Sequence, residues 1–170
     1  LEYKALDKAS FDLGLSPLAL VAQCGGIPSP HAYHLAGFLL EHFPKGVDFA
    51  DFAPLSMPEL PIAPVQAFSI DDAHTTEVDD AFSVRSLDGG SCEVGIHIAA
   101  PALGILPQSE LDAVALSRLS TVYMPSDKMT MLPDAASALF SLQEGRHCPA
   151  VSLYARIAPD GTMIGLRNAL

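Results

Sequence analysis

The segment DDAFSVRSLDGGSCEVGIHIA, residues 79–99, has the clearest secondary-structure pattern in the chain. Apolar and polar residues alternate over residues 81–86, which is typical of a β-strand. The Asp-Gly pair at residues 88–89 is a strong hairpin signal, and a second alternation follows over residues 92–98. The segment therefore predicts two neighbouring strands joined by a tight turn.

Further helices and strands are predicted on both sides of this hairpin. Ser109 and Asp112 stand three residues apart, as in a capping box, and indicate the start of a helix. The remaining patterns predict a strand over residues 67–71, a loop rich in Met and Pro over residues 124–133, a short helix that Asp134 caps, and two strands from residue 151 onward. Strands followed by helices and then by strands indicate an α+β fold.

The first 63 residues differ in pattern from the rest. The Ser-Pro pairs at residues 16–17 and 29–30 each indicate a helix start, because Ser favours the N-cap and Pro the first helical position. Four prolines between residues 54 and 64 exclude regular helix and central strand there. We therefore predict a helical segment with a Pro-rich connector over residues 1–63, and a second domain portion over residues 64–170.

The composition is that of a folded protein with an excess of acid. Apolar residues make up 49% of the 170 residues and charged residues 17%, which supplies material for a core and argues against intrinsic disorder. The 20 acidic residues against 9 basic ones give a net charge of −11. This charge excludes a nucleic-acid-binding module that works through a broad basic surface within this chain.

Cysteine usage and hydropathy bear on location. Cys24, Cys92 and Cys148 are widely spaced and odd in number, which indicates reduced thiols in a cytoplasmic protein. We expect no membrane association, because no apolar run approaches the roughly 18 residues of a membrane span and no signal peptide is visible. Because the chain begins with Leu1 and stops within a predicted strand, we expect a piece of a longer polypeptide.

Five carboxylates crowd into residues 71–80, between two apolar strands. Such crowding is unfavourable unless cations or solvent offset the repulsion. The loop is either a solvated acidic turn or a site that holds a hard divalent cation through Asp71, Glu77, Asp79 and Asp80. An all-oxygen carboxylate set suits Mg²⁺ or Mn²⁺, and spacing alone leaves both interpretations open.

The same loop carries a family motif. This motif resembles the catalytic signature of the ribonuclease II / ribonuclease R (RNB) family of exoribonucleases. It consists of Ile70-Asp71, five further residues, and then Glu77-Val78-Asp79-Asp80-Ala81. Later stretches resemble this family's motifs in the same order: residues 93–99, 111–112, 120–123, 131–133 and 141–142, and the strand over residues 151–157. The resemblance covers about residues 64–170 and corresponds to the amino-terminal portion of the family's catalytic domain.

The resemblance implies a fold, an activity and a set of roles. The fold would be a mixed, mainly antiparallel sheet flanked by helices. The activity would be metal-dependent 3′→5′ hydrolysis of single-stranded RNA to nucleoside 5′-monophosphates, with Mg²⁺ or Mn²⁺ as cofactor. Asp71 and Glu77 would be metal ligands, and Asp79 and Asp80 both ligands and catalytic residues. Tyr123 would stack on a base near the RNA 3′ end, and accessory RNA-binding domains would lie elsewhere in the full-length protein.

Two departures from the family pattern keep an alternative open. Many members have Asp where this chain has Glu77, and Asp where it has Ala100. The alternative is a catalytically inactive RNB-like protein that binds RNA or a partner. Without the resemblance, a buried or half-buried structural tyrosine is the favoured interpretation of Tyr123. His97 is predicted to be a hydrogen-bonding structural histidine.

Overall fold

The computed structural model describes residues 2–72, 75–125 and 127–170, and it divides into two compact units, Leu1–Asp48 and Phe49–Leu170. Residues 49–66 contain neither helix nor strand, as their prolines predict. They belong to the second unit, and the N–H of Leu55 donates to the C=O of Gly104 at 3.0 Å. The division between the units therefore lies upstream of residue 64, where sequence analysis begins its second domain portion.

Three helices form the first unit: α1 (Glu2–Leu13), α2 (Pro17–Gln23) and α3 (Pro30–His42). The Oγ of Ser16 accepts a hydrogen bond from the N–H of Ala19 at 3.2 Å, and the Oγ of Ser29 accepts one from Ala32 at 3.0 Å. Both predicted helix starts are confirmed. Across the described parts of the chain, no helix has the length and apolar character needed to cross a membrane.

The second unit combines a central sheet with short helices. In chain order its elements are β1 (Ala67–Phe68), β2 (Asp80–Ser86), β3 (Cys92–Ala99), α4 (Glu110–Arg118), β4 (Val122–Tyr123), β5 (Lys128–Met129), α5 (Asp134–Phe140), β6 (Ala150–Ile157) and β7 (Met163–Ala169). Five strands form one sheet in the order β1-β2-β3-β6-β7 with antiparallel pairings, and β4 and β5 form a separate ladder. The α+β fold is confirmed.

A small apolar core holds the helices and the connector of this unit together. It forms around Ile105, Leu132 and Ala136, and the partly buried side chains of Phe52, Leu111, Ala115 and Met131 pack against it. The Oγ of Ser109 accepts a hydrogen bond from the N–H of Asp112 at 3.2 Å and so caps α4, as predicted. The connector residue Phe52 therefore contributes to the same core as α4.

The sheet buries its polar face and leaves its apolar face more exposed. In β3 the side chains of Glu93 and His97 are 3% and 5% exposed, whereas Ile96 and Ile98 are 36% and 47% exposed. Burial of the polar side chains is tolerated because each has hydrogen-bonding partners on neighbouring strands. Cys92, at the start of β3 on the same face as Ile96 and Ile98, is also only partly buried.

Several predicted elements differ from those observed; for example, β5 (Lys128–Met129) lies within the stretch 124–133 that was predicted to be a loop. The strand predicted over residues 67–71 ends at Phe68, because β1 pairs with β2 through two residues only. Asp71 therefore lies beyond the strand, in exposed irregular chain. Pro133 occupies the N-cap of α5, and Asp134, predicted to be the cap, is the first helical residue.

Candidate active site

The backbone of Asp79 and Asp80 is fixed at one end of the central sheet. Asp80 is the first residue of β2 and pairs with Ile98 of β3. The C=O of Asp79 accepts a hydrogen bond from the N–H of Ala99 at 2.8 Å. The two predicted catalytic carboxylates therefore project from a backbone that the β2–β3 ladder holds in place.

Val78, the residue before them, is held by the chain that follows α5. The N–H of Val78 donates to the Oγ of Ser141 at 2.9 Å, and its C=O accepts a hydrogen bond from the N–H of Leu142 at 2.8 Å. Ser141 is 2% exposed, so its hydroxyl is shielded from competing water. The family motif includes Ser141-Leu142, but the sequence alone does not indicate this contact with the acidic loop.

The four predicted metal ligands lie close enough to influence one another. The pKa of Asp79 is raised above its usual range, first by partial burial and then by the negative charges of Glu77, Asp80 and Asp71. Asp71, Asp79 and Asp80 are nonetheless exposed and Glu77 is half-buried, so a substrate could reach them. Residues 73–74 of the same loop lie outside the described part of the chain.

The chemistry of this set fits a hard divalent cation. All its donors are carboxylate oxygens, and a bound cation would offset the repulsion that raises the pKa of Asp79. Within the described ranges, no three His, Cys, Asp or Glu side chains are already arranged to hold a metal ion. The ligand set Asp71, Glu77, Asp79 and Asp80 therefore stays a prediction.

Among the described residues, Lys128 brings a basic side chain into contact with the acidic cluster. The Nζ of Lys128 donates to Oε1 of Glu77 at 2.6 Å. This hydrogen bond raises the pKa of Lys128 against the opposing effect of partial burial, and the charges of Glu77, Asp134 and Tyr123 add to the rise. Lys128 lies 51 residues from Glu77 and within the stretch 124–133 that was predicted to be a loop, so the sequence alone does not indicate this contact.

Tyr123 lies directly opposite Lys128 in the β4–β5 ladder. Its side chain is 75% exposed, so the interpretation of Tyr123 as a core residue is wrong. An exposed ring on a paired strand is accessible for stacking against a base. Contact between Tyr123 and RNA stays a prediction.

His97 is a structural histidine, as predicted. Its Nδ1 lies 2.8 Å from the Oγ of Ser152, and its Nε2 lies 2.9 Å from the Oγ of Ser83. Burial lowers the pKa of His97, so the ring is neutral at pH 7 and donates one of these bonds while accepting the other. His97 therefore joins three strands of the sheet and takes no part in the acidic cluster.

Glu93 is the second buried polar group of the sheet. Its Oε1 accepts hydrogen bonds from Arg85 at 2.7 Å and from Arg167 at 3.2 Å. Burial acts to raise the pKa of Glu93, but the two arginine hydrogen bonds outweigh it and the pKa is lowered. This ion-pair cluster explains how a carboxylate is tolerated on the buried face.

The RNB domain, a known protein family, matches residues 62–167, which is more than half of the chain. The chain belongs to the RNB-domain family. It is 36% identical over 117 residues to Exoribonuclease 2 of Vibrio vulnificus (strain YJ016), which covers 68% of this chain and 17% of that protein. It is 33% identical over 132 residues to Inactive exonuclease DIS3L2 of Arabidopsis thaliana, which covers 68% of this chain and 12% of that protein.

Among solved structures, this chain is similar to Mycoplasma genitalium RNase R in complex with ribose-methylated single-stranded RNA. The TM-score is 0.58 at 21% sequence identity, and the match covers 64% of this chain and 17% of that chain. This likeness confirms the predicted RNB fold. The chain spans less than a fifth of the length of these relatives.

Proposed function

We propose that the full-length protein is a metal-dependent 3′→5′ exoribonuclease that hydrolyses single-stranded RNA and releases nucleoside 5′-monophosphates. The group of carboxylates around Asp79 carries this proposal: partial burial raises the pKa of Asp79, and the negative charges of three acidic neighbours raise it further. Metal-assisted hydrolysis of a phosphodiester requires crowded oxygen donors beside an accessible surface. Membership in a family with relatives named Exoribonuclease 2 supports the substrate class.

In this proposal Asp71, Glu77, Asp79 and Asp80 hold Mg²⁺, for which Mn²⁺ can substitute. A bound divalent cation would offset negative charge on the phosphate oxygens and assist deprotonation of the attacking water. Asp79 and Asp80 orient the scissile phosphate and the water. Their backbone is already fixed by the contact of Asp79 with Ala99, so little orientation remains to be achieved when substrate binds.

Tyr123 stacks on a base near the RNA 3′ end in this proposal. Its exposed ring suits that role, and stacking of this kind contributes about 1–3 kcal/mol per base. Single-stranded RNA is a reasonable ligand because the similar Mycoplasma genitalium RNase R forms a complex with ribose-methylated single-stranded RNA.

The net charge of −11 indicates that most of the basic groups needed to bind RNA lie outside this chain. Binding along an RNA backbone requires basic groups that neutralise phosphates, and this acidic chain has few of them. We therefore propose accessory RNA-binding domains elsewhere in the full-length protein. The three free cysteines support a cytoplasmic location.

Degradation of 5′-labelled single-stranded RNA by the full-length protein tests the proposed function. We expect products that shorten one nucleotide at a time from the 3′ end, release of nucleoside 5′-monophosphates, and loss of activity when a chelator removes divalent ions. Internal cleavage fragments, nucleoside 3′-monophosphates, or degradation that continues in the chelator would contradict the proposal.

A second candidate is a catalytically inactive RNB-like protein that binds RNA or a partner. A relative named Inactive exonuclease DIS3L2 favours it. So do Glu77 and Ala100, since Ala100 is 6% exposed and supplies no acidic group where many family members have one. Retention of labelled RNA without any product, in Mg²⁺ and in Mn²⁺, would support this candidate instead.

A further inference from the structure

Lys128 connects two parts of the proposed site that are distant in sequence. Its Nζ lies 2.6 Å from Oε1 of Glu77 in the acidic loop, and Lys128 pairs with Tyr123 in the β4–β5 ladder. The Lys128 and Glu77 side chains are 41% and 22% exposed, so the ion pair is partly shielded from solvent. The Lys128 side chain therefore joins the carboxylates to the strands that carry the predicted stacking ring.

The β4–β5 ladder is too small to hold Tyr123 in place by itself. Each strand has two residues, and an isolated two-stranded hairpin is at best marginally stable in water. The turn is closed by a hydrogen bond from the N–H of Met124 to the C=O of Asp127 at 2.8 Å. That bond shapes the hairpin, and a hydrogen bond from Arg118 to the C=O of Thr130 at 2.8 Å anchors the chain after β5 to α4. The contact between Lys128 and Glu77 links the hairpin to the acidic loop.

The length of Glu77 matters for this contact. Asp, which many family members have at this position, is one C–C bond shorter, or about 1.5 Å. With the backbone unchanged, an Asp carboxylate would lie about 4 Å from the Nζ of Lys128, beyond hydrogen-bonding distance. The longer side chain of Glu77 therefore allows a hydrogen bond to Lys128 that Asp at this position would not reach.

We infer that Lys128 is a positioning residue, which through Glu77 holds the Tyr123 ladder against the acidic loop and so determines where the RNA 3′ end is bound. The inference rests on the proposed function for the identity of the ligand, single-stranded RNA. Lys128 acts through Glu77 and Tyr123 and makes no contact with the reacting atoms.

Binding of a short oligonucleotide with 2-aminopurine at its 3′ end, to the full-length protein in the absence of divalent ions, tests this inference apart from hydrolysis. Stacking on Tyr123 quenches the fluorophore. We expect Lys128→Met and Glu77→Gln each to weaken binding by about fivefold or more, because the loss of one stacking contact has this size. The double variant should be no weaker than either single variant. Lys45→Met, in the first unit, is the matched control and should bind as wild type does.

The direction in which Glu77→Gln changes oligonucleotide binding distinguishes positioning by Lys128 through Glu77 from direct contact between Lys128 and a phosphate. If Lys128 bound phosphate, Lys128→Met would weaken binding, whereas Glu77→Gln would leave it unchanged or strengthen it by removing a negative charge. That result, or additive losses in the double variant, would overturn the inference.

Two further measurements complete the test. The exchanged pair, Lys128→Glu with Glu77→Lys, should recover part of the quenching, which guards against a folding defect in the single variants. No recovery, with the exchanged pair still folded, would overturn the inference.

If the wild-type protein shows the expected binding pattern but releases no nucleotides in Mg²⁺, the inference stands and the proposed exoribonuclease activity fails. A wild-type protein that does not bind the oligonucleotide would overturn both.

Discussion

The hydroxyl of Ser141 accepts a hydrogen bond from the N–H of Val78 at 2.9 Å, across 63 residues of sequence. Val78 lies between Glu77 and Asp79, so this contact attaches the middle of the acidic loop to the residue that follows α5. The positions of the Glu77 and Asp79 carboxylates therefore depend on a buried serine whose hydroxyl bonds to the residue between them.

Replacing Ser141 with Ala would leave the Val78 N–H without its partner. We expect the free energy of unfolding to fall by about 1–3 kcal/mol, the cost of an unsatisfied buried donor. We also expect RNA hydrolysis to slow by about tenfold or more while RNA binding is kept, because orientation of the carboxylates is lost. Ser117→Ala, which removes an exposed local hydrogen bond to Val114, is the control. Equal hydrolysis rates in the two variants would show that Ser141 does not position the loop.

Removing the ring of Tyr123 tests its predicted role in RNA binding. Because the side chain is 75% exposed, Tyr123→Ala should change the melting temperature little. Binding of a short oligonucleotide should weaken by about 1–3 kcal/mol, or the final product of degradation should change in length. Tyr3→Ala, which removes a ring that is 73% exposed in the first unit, is the matched control. A destabilised Tyr123→Ala protein with unchanged products would contradict the role.

Burial of His97 predicts a pH dependence of stability. Its pKa is lowered from 6.5 in the folded protein, so between the two values the unfolded chain binds more protons. The stability that neutral His97 contributes is therefore present above about pH 6.5 and is lost as the pH falls towards the folded pKa. Denaturant unfolding at about pH 7.5 and 5.5 should show a smaller decrease for His97→Gln than for wild type. His147→Gln, at an exposed position, should retain the wild-type decrease, and equal decreases in all three proteins would contradict the prediction.

Crystals of the full-length protein soaked in Mn²⁺ test the predicted ligands. We expect anomalous density among the carboxylates of Asp71, Glu77, Asp79 and Asp80, because crowded carboxylate oxygens are the donors that a hard divalent cation prefers. Asp79→Asn crystals soaked in the same way should show weaker density. Density at another group of side chains, with none in the acidic loop, would show that the predicted ligand set is wrong.

The alternating pattern of β2 and β3 was sufficient to predict the hairpin, and the order of strands, helices and strands was sufficient to predict the α+β class. It could not predict which face is buried, because alternation shows only that the two faces differ. Here the face that carries Glu93 and His97 is the buried one, although these side chains are polar, because both have hydrogen-bonding partners on neighbouring strands. Asp71 lies beyond β1 for a related reason, since the length of a strand depends on its partner as well as on its own residues.

The site was predicted in its parts but not in its connections. The carboxylates lie within ten residues of sequence, so their crowding was visible, and in the structure the charges of Glu77, Asp80 and Asp71 add to the effect of burial on Asp79. The contacts of Lys128 with Glu77 and of Ser141 with Val78 span 51 and 63 residues. Contacts over such distances depend on tertiary folding, and no local pattern in the sequence indicates them.

The single-turnover rate of RNA hydrolysis by Asp79→Asn tests the central claim most directly. The substitution keeps the shape of the side chain and removes its charge from the middle of the acidic cluster. Asp88→Asn, in the turn between β2 and β3, is the matched control. We predict that Asp79→Asn lowers the rate in Mg²⁺ by about a hundredfold or more, with RNA binding largely intact, while Asp88→Asn retains the wild-type rate. A rate for Asp79→Asn within about tenfold of wild type would contradict the assignment of this cluster as the catalytic centre.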